Sequence, residues 1–446
     1  MFISRIAKAR FITAAALLLT FTLAAHATER KKPRSHHHAK HSRHTMKNGN
    51  SVERRSDGRV SDVHDERRHM DVHHGLNGDR RVTAYRADHS RIVTERGRAG
   101  FVERPYSYHG HDFYQRTYYY HGRVYSHYYR GFFFHGIGLH VYAPGAYFST
   151  GFYGWAYHPW RVHVVYRWGW YGHPWYGYYG YYFAPYPYYV GPSAWLTDYV
   201  ISNNLQADYD ARVAAGPLAS NAPVSGDGPA LTPDVKNQID QEIQYDIELE
   251  NGEAALEATN QDTDAGSSSI ARILADNHPH VFVVSAPIDV ENEATEHDCA
   301  LSEGDIIQTT TAPAPDDENA TLTVLASKGP TECSKNTAVS VSLEDLQEMQ
   351  NSLRQTVHQG MDELQQNQGK DGLPQLPAAA AAPPAPTPYA KLAPPPDPNA
   401  AAEIQQQQTD ADQSEKEVTT QESQEPQTPP SATQAPAPIE RPKNQP

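Results

Sequence analysis

Apolar side chains fall into helical spacing at three places in this chain and into strand spacing at several others. Long stretches between them follow neither period. The clearest helix is the last. Ser342-Leu343-Glu344-Asp345 is a capping-box-like start, and Leu343, Leu346, Met349, Leu353, Val357, Met361 and Leu364 then keep one face for more than five turns. Thr232-Pro233-Asp234 opens a second helix over 231–258, with a capping hydroxyl, a first-turn proline and an acid near the positive end of the dipole. Its Val235, Ile239, Ile243 and Ile247 make a thin stripe that needs a partner surface. A third helix, over 193–213, starts at the cap Ser193 and carries Trp195, Leu196, Tyr199, Val200 and Leu205.

Strand patterns sit on both sides of these helices. Val162, Val164, Tyr166, Trp168 and Trp170 alternate with Arg161, His163 and Arg167, and a weaker alternation runs from Phe133 to Val141. Five short runs follow Ile270: His280 to Val284, Ile288 to Val290, Asp305 to Gln308, Leu322 to Leu325 and Ala338 to Val341. The fold these patterns predict is α+β with extensive disorder. A small antiparallel β barrel or meander with a long C-terminal helix (270–366) is preceded by an aromatic β-rich segment (101–192) and two helices, joined by linkers at 214–230 and 259–269. Residues 28–100 are rich in Arg, His, Asp and Ser with few aliphatic side chains, and 367–446 holds 17 of the 34 prolines. Neither arm buries enough apolar surface on its own to offset the entropy of ordering, so both are expected to be disordered.

Composition adds compartment and charge. Arg5, Lys8 and Arg10, an uncharged run from Phe11 to Ala25, and Ala25-His26-Ala27 read as a secretion signal over 1–27. An uncleaved anchor is the alternative, although the apolar run is short against the ~20 residues that span a bilayer. No later run approaches that length, so no transmembrane span is expected after cleavage. The expected location is periplasmic, extracellular or at the cell surface. Cys299 and Cys333 are the only cysteines. In an exported chain two thiols usually form a disulfide, and a free or metal-bound pair lacks the support of a CxxC spacing. Lys plus Arg against Asp plus Glu is 18 to 10 over residues 28–100 and 11 to 40 over 201–446. A chain polarised in this way attracts its own tail, another copy of itself or an anionic surface.

Three chemistries are open. His36, His37, His38, His41 and His44 could bind Zn, Cu or Ni weakly, which would make the chain a periplasmic metal-binding protein, but they lack the fixed spacing of a structural site. Residues 101–200 hold 24 of the 28 tyrosines and all 6 tryptophans. Trp155, Trp160, Trp168, Trp170, Trp175 and Tyr178 are candidate contacts to a polymer or partner chain, or else pack against one another. Only six basic residues accompany them, so a nucleic-acid partner is not expected. HExxH, GxSxG, P-loop and GxGxxG motifs are all missing, so no catalytic residues and no cofactor are assigned. The expected function is non-enzymatic: an envelope or extracellular protein acting through aromatic contacts and self-association.

Two resemblances bear on this. The run Phe152 to Trp160, with Trp168-Gly169-Trp170, Pro174 to Tyr179, Trp195 to Tyr199 and Leu231-Thr232-Pro233, resembles a set of uncharacterised exported bacterial proteins. In that set a Tyr/Trp/Gly module precedes a Leu-Thr-Pro-led helix and a small C-terminal β domain, and the likeness implies no activity. Val283 to Gln308, with Ile288-Asp289-Val290 and Gly304-Asp305-Ile306-Ile307, is similar to bacterial SH3-type cell-wall modules. It departs from them where Glu291-Asn292-Glu293 replaces the usual Arg-Ser-Gly.

Overall fold

A computed structural model of the chain describes residues 41–120, 122–216, 230–276, 278–329 and 332–424. The expected secretion signal over 1–27, His36 to His38, residues 217–229 of the linker and the tail after 424 lie outside these residues.

The first ten strands form one antiparallel sheet in sequence order: β1 (Ser42–Thr45), β2 (Ser51–Arg54), β3 (Val60–Asp65), β4 (Met70–His74), β5 (Arg80–Tyr85), β6 (Arg91–Glu95), β7 (Gly100–Tyr108), β8 (His111–Tyr120), β9 (Arg123–Phe134) and β10 (Ile137–Ala143). Tight turns join them, with a residue at positive φ in each of the early ones: Gly49, Gly58, His69, Gly78, His89 and Gly97. Val52, Val63, Val72 and Val82 lie opposite one another on successive strands and are all buried. Residues 41–100 are therefore sheet, not the disordered arm expected. One valine per ten-residue hairpin unit is too sparse to make a core alone, and the missing cover comes from the far end of the chain.

After β11 (Ala146–Tyr147) come α1 (Thr150–Tyr157), α2 (Pro174–Tyr178), α3 (Pro192–Ala215), α4 (Pro233–Ala258) and α5 (Ile270–Ala275). The helices α3 and α4 fall where two were expected, but α3 begins at Pro192 with Gly191 as its N-cap, so Ser193 lies within the first turn and does not cap it. The strand expected over 161–170 does not form: only Val164 bridges to Tyr189. Trp168 and Trp170 instead stack on each other at 5.3 Å, and Trp168 stacks on Trp195 of α3 at 4.9 Å. Ring packing onto a helix wins over the alternating pattern.

A second sheet comprises β12 (Val281–Val283), β13 (Ile288–Asn292), β14 (His297–Leu301), β15 (Ile306–Thr309), β16 (Asn319–Ala326) and β17 (Ala338–Ser342), in the order β12-β15-β16-β17-β13-β14. All its ladders are antiparallel, β12 and β14 are the outer strands, and β14 is met on its outer side by a parallel bridge from Glu332 to Ala300, where the Cys333 amide donates to the Ala300 carbonyl at 2.9 Å. The sheet is open, so of barrel and meander the barrel is excluded. The polar strand β14 was not anticipated. Cys299 on β14 is bonded to Cys333. Closing a loop of 34 residues stabilises the fold by about 3–4 kcal/mol in the chain-entropy argument.

The helix α6 (Leu343–Gln366) joins the two halves of this architecture. Ser342 caps it by accepting the Asp345 amide. Leu343, Leu346 and Met349 enter the core of the six-stranded sheet, while Leu353, Val357, Met361 and Leu364 enter the aromatic core built on α3 and α4. Burying each is worth roughly 1.5–3 kcal/mol. At Gly360 the helices α3 and α6 touch: a Cβ there would lie 2.5 Å from Leu196 and 2.9 Å from Tyr199. On its other side α6 runs along the edge strand β10. Asn351 accepts the Tyr142 amide at 2.8 Å and donates to the His140 carbonyl at 2.7 Å, as a neighbouring strand would. Arg354 donates to the Tyr142 carbonyl at 3.0 Å and pairs with Glu253 of α4 at 2.7 Å.

After α6 come the two-residue β18 (Ala385–Pro386), paired with β11, then α7 (Pro388–Leu392) and α8 (Ala400–Gln424). The tail up to 424 is thus structured, not disordered as expected. α8 lies on the face of the ten-stranded sheet that carries Val52, Val63, Val72 and Val82, and buries Ala411 and Val418 against them. The two arms read as disordered are each other's partner.

Replacing Asn351 by Leu leaves the Tyr142 amide and the His140 carbonyl buried and unpaired. The expected loss is roughly 2–4 kcal/mol in urea unfolding. A loss under about 0.5 kcal/mol, the range of an ordinary surface change, contradicts the strand-mimic role. Asp246 on α4 is buried with Gln350 as its hydrogen-bond donor, and burial raises its pKa from 3.8 to about 8 against the opposing pull of Arg354. The folded state therefore keeps a proton that the unfolded state releases, and stability falls as pH rises from about 4 to about 8. Asp246→Asn should match the parent near pH 4 and exceed it increasingly up to pH 8, read from thermal melts. Parallel curves for the two proteins contradict this.

Candidate functional site

A polar cleft walled by aromatic rings lies between α6 and the sheet face opposite α8. It holds about 270 Å³. The strands β8 and β9 are long enough to carry alternate residues into it: Arg116 and Tyr118 from β8, and Tyr125, His127 and Tyr129 from β9. The register sets Tyr118 opposite Tyr125 and Arg116 opposite His127. Tyr118 and Tyr125 stack at 5.1 Å with planes 6° apart, and Phe101 of β7 leans on Tyr118 at 5.0 Å. The Tyr125 ring is 40% exposed, so this stack opens to solvent. The facing wall is Glu348, Ser352, Gln355, Thr356 and Gln359, which share one side of α6.

Charge in the cleft is internally matched. Arg116 is buried and holds Glu348 through two 2.7 Å contacts and Glu103 through one at 2.6 Å, while its guanidinium sits 4.1 Å from the Tyr129 ring centre. Burial acts against the ionised forms of all three groups. The mutual attraction outweighs it, holding Glu103 and Glu348 below the usual carboxylate range and Arg116 above its own. Burial pushes the Tyr125 hydroxyl up to about 12. The His127 imidazole goes down to about 3 through burial, aided by the charges of His358 and Arg116. At neutral pH the floor is thus an uncharged imidazole among uncharged phenols. The Tyr129 hydroxyl is fixed by Gln355 at 2.8 Å and by Tyr118 at 3.3 Å. Such a surface can stack on a ring and exchange hydrogen bonds with neutral hydroxyl or amide groups.

The residues singled out from the sequence lie elsewhere. Trp160, Trp168 and Trp175 are buried in the core around α3, and Trp155, Trp170 and Tyr178 are partly buried against it. Asp198 organises this cluster. It accepts from the Tyr189 hydroxyl at 2.7 Å and the Tyr186 amide at 2.6 Å, Tyr189 accepts the Trp168 indole N–H at 2.6 Å, and Lys236 of α4 lies 2.6 Å from the other carboxylate oxygen. The expected contact rings thus serve mainly to pack α3 and α4.

His41 is held between Glu53 at 3.0 Å and Asp298 at 2.5 Å. Burial works against its protonated form, but the two carboxylates raise its pKa overall. His44 lies half-buried on β1. Among the described residues no group of three or more His, Cys, Asp or Glu is placed to hold a metal ion. The cleft residues were missed because their alternation, Arg116-Thr117-Tyr118 and Tyr125-Ser126-His127-Tyr128-Tyr129, is hidden by aromatic residues on both faces. The His121-Gly122 turn signal between them was the available clue.

Compared with family models, with curated proteins and with solved structures, the chain matches none.

Proposed function

We propose that the chain is a non-enzymatic, exported envelope or extracellular protein that works by contact, and that the cleft between β8, β9 and α6 receives a neutral polar polymer or partner segment. The observation that carries this is the solvent-open Tyr118–Tyr125 stack facing the hydroxyl and amide side chains of Ser352, Thr356 and Gln359. Its charged neighbours already satisfy one another. A ring presenting hydroxyls gains apolar contact on the tyrosine faces and hydrogen bonds from α6, whereas a charged ligand would find no uncommitted counter-charge at Arg116 or Glu348. The Cys299–Cys333 bond supports an oxidising compartment. Exposed Phe133, Val162 and Val165 support association with further surfaces.

Retention on neutral polysaccharide gels tests the reading. Tyr125→Ala removes a half-exposed ring and should leave the melting temperature nearly unchanged, while binding weakens about 3- to 10-fold, the worth of one aromatic contact. Retention equal in parent and variant contradicts the assignment.

A further inference from the structure

The opposite face of the ten-stranded sheet carries a second surface, and its present occupant shows what chemistry it takes. From Asp397 to Gln424 the chain holds seven acidic residues and one lysine. Asp397, just before α8, and five of the six acids on α8 meet arginines of the sheet and its turns in order. Asp397 meets Arg104 of β7, Glu403 meets Arg86, Asp412 and Glu415 meet Arg80 of β5 at 3.0 and 3.2 Å, Glu417 meets Arg67 and Arg68 at 2.8 and 3.0 Å, and Glu422 meets Arg54 of β2 at 2.6 Å. From Glu403 to Glu422 this charge row runs about 28 Å at the helical rise.

The apolar seam beneath it is thin. Ala400, Ile404, Ala411 and Val418 are its buried apolar residues, and only Ile404 and Val418 contribute more than a methyl group. By contrast α6 buries seven large apolar side chains. The helix α8 is thus held chiefly by partly exposed ion pairs, each worth about 0.2–1 kcal/mol and weakened by salt. Pro394, Pro395, Pro396 and Pro398 tether it through a segment that cannot continue a helix.

We infer that the arginine row on β2 to β7 is a binding surface for a linear acidic polysaccharide, and that α8 is a built-in competitor that covers the row until such a polymer displaces it. The argument is charge complementarity: a row of guanidinium groups drawn from β2, β5, β7 and the β3–β4 and β5–β6 turns, already neutralised by an extended series of carboxylates, suits a chain that offers anions along its length. The surface lies on the other side of the sheet from the tyrosine cleft, so it stands or falls independently of the function proposed for that cleft.

The test uses the full chain and dextran sulfate, with neutral dextran and single-stranded DNA of matched charge concentration beside it. In Glu403→Gln/Glu415→Gln/Glu417→Gln/Glu422→Gln the competitor is weakened, and dextran sulfate should bind about tenfold more tightly than to the parent, a change equal to loss of a few exposed ion pairs. Adding Arg54→Gln and Arg80→Gln to that variant should reverse most of the gain. On binding to the parent, amides 400–424 should exchange faster while those of 343–366 stay protected. Equal affinity for parent and tail variant, or no loss on removing the two arginines, overturns the inference. Tighter binding of DNA than of dextran sulfate overturns the choice of polysaccharide.

Discussion

The fold depends on one helix being apolar enough to serve two cores at once. The first two turns of α6 close the six-stranded sheet with Leu343, Leu346 and Met349, and its last three close the tryptophan-rich core with Leu353, Val357, Met361 and Leu364. Between these halves Asn351 and Arg354 take up backbone groups of β10 that would otherwise form an open sheet edge. A ten-stranded sheet, a helical layer and a smaller sheet are thereby fixed to a single rod. The cleft is a by-product of the same docking, since Ser352, Gln355, Thr356 and Gln359 reach the sheet only because α6 is pinned along its edge.

Where the partner of a segment lies nearby, its structure was legible in the sequence. α4 and α6 were visible from their caps and stripes, α3 from its apolar positions although its start is set by Gly191-Pro192 and not by Ser193, and β12, β13, β15, β16 and β17 from short β-branched runs between turns. The Cys299–Cys333 bond followed from cysteine number and an expected export. β14 was hidden because His297 and Asp298 interrupt its apolar pattern. The two arms were illegible for a physical reason. Val52, Val63, Val72 and Val82 are too few to stabilise a sheet alone, and Ile404, Ala411 and Val418 too few to stabilise a helix. The pairing of the two spans more than three hundred residues, beyond the reach of any local window. The segregation of basic and acidic residues was the visible trace of that pairing, as were the Asn-Gly and Asp-Gly turns at 48–49, 57–58 and 77–78.

The aromatic block shows a different limit. Composition located the rings without saying which way they face. Trp168, Trp175 and Trp195 turn inward into the core built on α3 and α4, whereas Tyr118 and Tyr125 line a cleft, and both sets come from the same tyrosine-rich hundred residues. What separates them is backbone: the strands β8 and β9 hold side chains at fixed alternate directions, while the Gly- and Pro-broken stretch after Tyr157 lets each ring find a packing site. Function follows the regular part, because a binding surface needs rings held in place before the ligand arrives.

Native-state hydrogen exchange tests the central claim most directly. If α6 carries both cores and the edge of the large sheet, then the buried amides of 343–366, of β10 and of β15 to β17 should open together, with one common free energy equal to that of global unfolding. Opening of α6 at a clearly lower free energy, with β10 and the six-stranded sheet still protected, would contradict it.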